Sequence, residues 1–166
     1  MKKIYCALMV ICLSVLFCSC EKETVPVEIP SDFDFKITFE HAFIVDTYES
    51  SLAEYDLYTG DVVYDVEFNF TDEQMENIYS EFVKRNLYKI EDGTDVGEIQ
   101  SVPPESVYFE YTLGGETRSI ICTDKHVPHG GNKVKENFVG FTDFIIDYIE
   151  VSEQYKNAPH IFYGWE

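Results

Sequence analysis

Apolar side chains fall on alternate positions from Phe35 through Ile37 and Phe39, and the same period continues through His41, Phe43 and Val45. That is the period of a strand with one buried face, and it puts His41 in an inward slot. A second alternating run, Tyr64, Val66, Phe68 and Phe70, follows the turn-forming Thr59-Gly60-Asp61, with Tyr55 and Leu57 on its near side. Antiparallel strands follow from this spacing.

The period then changes from two to nearly four. Thr71-Asp72-Glu73-Gln74 forms a capping box, with Phe70 and Met75 placed as the accompanying hydrophobic staple. Met75, Ile78, Tyr79, Phe82 and Val83 repeat at helical spacing, and Lys84 and Arg85 sit where the helix dipole is negative. The spacing predicts a helix from Asp72 to about Asn86.

Beyond an irregular acidic stretch, Gly114-Gly115 suits a two-residue turn that needs positive φ at both positions. Counting outward pairs Leu113 with Glu116, Phe109 with Ile120 and Val107 with Cys122, which puts Cys122 on the core face. A last amphipathic stretch runs from Lys133 to about Glu153. Val134, Phe138, Phe141, Ile145 and Tyr148 carry its stripe, widened by Phe144 and Ile149. Gly140 within it costs up to about 1 kcal/mol against alanine, so a packing contact or a bend is expected there. The predicted fold class is α+β: an antiparallel β-sheet with two amphipathic helices packed on one face.

The first residues have a different character. Lys2 and Lys3 precede an apolar or small run from Ile4 to Cys20, shorter than the roughly 20 apolar residues that a spanning helix needs. Leu16, Phe17 and Ser19 before Cys20 resemble the recognition box of bacterial lipoproteins, although Phe17 and Cys18 depart from its commoner residues. The resemblance implies that residues 1–19 are a signal peptide that is removed, and that Cys20 carries lipid, palmitate among the chains. Several chains on one cysteine hold firmly where one holds marginally. Cys6, Cys12 and Cys18 would leave with the signal, so only Cys122 would remain and no internal disulfide could form. Residues 20–31, with Pro26 and Pro30, read as a flexible tether, and 32–166 as a single domain.

Charge narrows the partners. The chain carries 31 acidic side chains against 12 basic ones. Losing Lys2 and Lys3 leaves 10 basic (12 − 2) and takes the net charge from −19 to −21. Such a surface repels phosphate backbones and excludes nucleic acid as a partner. Plain solubility explains it first; a basic protein partner or divalent cations explain it second.

Candidate chemistry is sparse, and no cofactor motif is present. Asp124, His126 and His129 follow the β-strand that ends in Cys122 and could serve a metal ion, the centre of a small metal-dependent hydrolase. Their spacing matches neither the two-cysteine knuckle nor the helical two-histidine arrangement, and a polar loop beside a buried free cysteine explains them better. The acidic loop 91–98 could offer oxygens to calcium, but lacks the ligand order of a helix-loop-helix site. The aromatic tail, with Tyr163 and Trp165, could be a last strand packed on the core or a platform for a glycan or a partner protein.

The order of strands, capped helix, Gly-Gly hairpin and final helix, together with the Cys20 box, resembles the small envelope lipoproteins of Bacteroidota; Glu21, Lys22 and Glu23 resemble their surface-export signal. The resemblance implies a protein attached to the cell envelope through its lipid, at the outer membrane, periplasmic or surface-facing. The expected function is a noncatalytic binding or assembly module, with an inhibitor or sequestering partner of a basic secreted protein as the alternative.

Overall fold

The computed structural model describes residues 25–26, 28–41, 44–49, 54–59, 62–101, 103–126 and 131–158. They form a seven-stranded sheet and three helices, an α+β fold. The strands are β1 (Asp34–His41), β2 (Ile44–Glu49), β3 (Glu54–Thr59), β4 (Val62–Glu67), β5 (Thr94–Asp95), β6 (Glu105–Leu113) and β7 (Glu116–Cys122). Their order across the sheet is β4-β3-β2-β1-β6-β7-β5, and every neighbouring pair is antiparallel except β5 with β7. The helices are α1 (Asp72–Lys84), α2 (Lys133–Glu150) and the short α3 (Glu153–Asn157). Among the described residues no helix is long and apolar enough to cross a membrane.

The alternating run that begins at Phe35 is two strands. The chain reverses after His41, which pairs with Ile44, so β1 and β2 lie side by side. The register pairs Tyr48 with Ile37 and Val45 with Glu40, so the core face passes from odd positions in β1 to even ones in β2, and the alternation counted on through Phe43 and Val45 does not continue on one face. The connection at 42–43 and the side chain of His41 lie outside the described residues. The β6–β7 register is the expected one: Leu113 opposite Glu116, Phe109 opposite Ile120, and Val107 opposite Cys122. Gly114 and Gly115 take φ of 64° and 78°, which side chains other than glycine rarely tolerate.

Both arms of the capping box are formed at Thr71 and Gln74. Helix α1 stops at Lys84, and Asn86 turns left-handed with φ of 59° before a 3₁₀ turn at Leu87–Lys89. Helix α2 also ends early, at Glu150. Ser152 donates to Ile149 O and accepts from Tyr155 N, which closes α2 and starts α3. The stripe of α2 begins one residue later than its sequence period implies. Val134 is 43% exposed while Lys135 is buried, because the helix face centred on Phe138, Phe141, Ile145 and Ile149 turns position 135 inward in the first turn.

Phe109, central in the sheet, is the hub of the core. Its ring lies 5.7 Å from Phe35, 6.2 Å from Phe82 of α1, and 6.4 and 5.1 Å from Phe138 and Phe141 of α2. Aromatic pairs in this range of separation add attraction beyond the area they bury. The packing contact expected at Gly140 is made by the guanidinium of Arg85 at the end of α1.

Candidate functional site

A cleft of about 480 Å³ opens where the chain enters β1. Asp32, Asp34, Asn69 and Thr112 supply its polar wall; Phe33, Tyr48, Phe70 and Met75 supply its apolar one. Strand β1 starts beside β2 and β6, so Asp34 sits opposite Thr112, and the 68–70 segment leading to α1 brings Phe70 over Tyr48. The Phe70 and Tyr48 rings meet edge to face at 4.7 Å. Burial pushes the Tyr48 phenol well above its ordinary pKa; a backbone hydrogen bond at Phe70 opposes that, and the nearby Asp34 carboxylate adds to it. Tyr48 therefore remains a neutral hydroxyl at any physiological pH. Among the described residues, the charged side chains lining the cleft are the two aspartates.

Asp34 Oδ1 accepts from Phe35 N at 2.9 Å and Asp32 Oδ2 accepts from Gly115 N at 2.7 Å. These bonds orient the two carboxylates on the rim. Such a cleft suits a cationic group on an apolar stem, which can meet carboxylates and ring faces together. The local signal for it is Asp32-Phe33-Asp34-Phe35, acids alternating with inward phenylalanines at the mouth of a strand. Strand period alone did not single it out, because Tyr48, Asn69 and Thr112 arrive from other elements.

At the opposite end of β1, Asp124 is wholly buried. Burial opposes its charge, yet four hydrogen bonds outweigh it and hold the carboxyl well below the usual carboxylate range. Oδ2 accepts from Gln100 N (2.7 Å), Ser101 N (2.6 Å) and Ser101 Oγ (2.8 Å), and Oδ1 from His126 N (2.9 Å). Asp124 is thus the clasp that ties the 100–101 loop to the end of β7. The side chain of His126 is exposed and borders a cleft of about 350 Å³ with Glu105, Lys125 and Asp143. His129 lies outside the described residues. Among the described residues no group of three or more His, Cys, Asp or Glu side chains is placed to hold a metal ion.

The acidic loop is pinned to the sheet. Asp92 Oδ1 accepts from Ser119 N and Oγ, and these bonds, the backbone one foremost, lower its pKa. Asp95 accepts from Gly97 N, Thr123 N and Thr123 Oγ1. A Cβ on Gly97 would lie 2.6 Å from Thr123 N, so only glycine lets the loop approach β7 so closely. Cys122 is buried and donates to Asp124 O at 3.3 Å. Burial raises its thiol pKa, and the charge of Lys135 opposes that rise.

No protein-family model matches the chain, and neither does any curated protein. Cys20, Tyr163 and Trp165, the expected lipid attachment and aromatic platform, lie outside the described residues. The cleft at Asp32 and Asp34 is therefore the site on which a functional reading has to stand.

Proposed function

We propose that this protein is a lipid-anchored module of the cell envelope, acylated at Cys20 and held at the outer membrane, that binds a basic protein without catalysing a reaction. The observation that carries the binding part is the cleft at the start of β1, whose charged lining among the described residues is Asp32 and Asp34, set against Tyr48 and Phe70. A lysine or arginine side chain brings the matching charge and an apolar stem. The acidic surface as a whole steers such a partner toward the cleft and raises its rate of capture at low salt. Inhibition or sequestration of a basic secreted protein is the most direct use of that steering.

The test is capture from envelope extract at low and high salt with the domain from residue 21 onward, beside an Asp32→Asn/Asp34→Asn variant. Each asparagine keeps an acceptor oxygen for the Gly115 and Phe35 amides while removing charge. Recovery of a basic protein at low salt by the unchanged domain, and its loss with the variant, supports the reading. Equal recovery by both would sink the cleft as the site. Mass spectrometry of the mature N-terminus tests the anchor separately, since an unmodified Cys20 would overturn it.

A further inference from the structure

The segment leading into β1 is expected from its prolines to be a loose tether, yet from Val25 onward it is fastened to the domain. Val25 and Ile29 pack against the core, and Tyr79 Oη donates to the Pro26 carbonyl at 2.9 Å. Phe33 N donates to Pro30 O at 3.0 Å, and the buried Phe33 ring stands edge-on to Tyr79 at 5.0 Å. Val25 and Pro26 share a groove with Leu113 and Gly114 of the β6–β7 hairpin, while Ser31 and Asp32 form part of the acidic cleft. One short segment thus links the hairpin turn to the cleft.

We propose that this segment is a strap that holds the hairpin turn and the mouth of the acidic cleft toward a lipid bilayer. The inference rests on the reading of Cys20 as the lipid attachment. Glu21, Lys22, Glu23 and Thr24 then separate the lipid from Val25, and four residues reach at most about 14 Å. A tether free as far as Ser31 would reach about 35 Å and would leave the domain to tumble. The acidic surface supplies no attraction of its own to anionic headgroups, so the strap decides which end faces them. A partner entering the cleft is met beside the membrane surface, not out in the envelope space.

Energy transfer tests this with the acylated protein in vesicles containing an acceptor-labelled headgroup. A donor dye is placed either at Glu116→Cys, beside the hairpin turn, or at His126→Cys, at the far end of the sheet; both side chains are exposed, and the buried Cys122 is not labelled. The eight residues of β1, at about 3.3 Å each, separate the two ends by roughly 25 Å. Transfer at position 116 is expected to be at least double that at 126. Equal transfer from both sites on protein whose acyl group is verified by mass spectrometry overturns the strap. Protein with no acyl group on Cys20 overturns the lipid reading, and this orientation with it.

Discussion

The guanidinium of Arg85 lies directly on Gly140: a Cβ at that glycine would come within 2.6 Å of Nη1. Nη1 also donates to Asn137 O at 3.3 Å, Nε donates to Glu81 Oε2 at 3.1 Å, and Asn137 Nδ2 returns a bond to Arg85 O at 3.3 Å. The end of α1 is thereby joined to the middle of α2, and a Cβ at 140 would require the Arg85 guanidinium to move. Alanine at 140 gains up to about 1 kcal/mol of helix propensity but forces the Arg85 guanidinium to shift from its bonds. In an Arg85→Ala background, Gly140→Ala should stabilise, and in the unchanged protein it should not. A double-mutant cycle by urea denaturation is expected to yield a coupling of about 1 kcal/mol between the two sites; additive effects would refute the contact.

Phe109 touches strand and helix rings at once, so its truncation removes the contact that joins the layers. Phe109→Ala is expected to cost about 3–5 kcal/mol, read from the denaturation midpoint. Tyr108, its neighbour on the other sheet face and 40% exposed, should tolerate alanine with a loss of about 1 kcal/mol or less. Similar losses at both positions would contradict the assignment of the two faces.

Asp124 links stability to pH. Its folded-state pKa is depressed, so its contribution is fully present above the ordinary carboxylate value of about 4 and is lost progressively as pH falls below that. Asp124→Asn should lower stability at pH 7 by on the order of 3 kcal/mol and flatten the acid side of the pH profile. Parallel pH profiles for the two proteins would show that the clasp does not depend on charge.

The Cys122 thiol is buried with a raised pKa, two conditions that suppress thiolate chemistry. In the domain from residue 21 onward it is expected to resist a thiol reagent in buffer and to react fully in urea. Rapid labelling under native conditions would show that the core at the end of β7 opens.

Lys135 is 4% exposed, and among the described residues its ammonium has no hydrogen-bond acceptor. A buried unpaired polar group costs stability, so Lys135→Met, of similar length, is expected to stabilise by about 1 kcal/mol. A destabilised variant would mean that its attraction to the Asp95 carboxylate outweighs the cost of burial.

Local chemistry along the chain determined much of this protein. The capping box at Thr71 and Gln74, the glycine turn at 114–115 and the β6–β7 register could be read directly, because each depends on residues within a few positions or on counting outward from a turn. The break between β1 and β2 was hidden because apolar residues recur at odd positions on both sides of it, although the turn moves the core face to even positions in β2. Only the tertiary structure decided the rest. The cleft gathers Asp32, Tyr48, Asn69 and Thr112 from separate elements, and Asp124 collects donors from a loop more than twenty residues upstream. Periodicity reports which face of an element is buried; it carries no information on which distant side chains meet there. The same holds for the strap, whose prolines read locally as an extended tether and whose fastening depends on Tyr79 and the β6–β7 hairpin, residues brought to it by the fold.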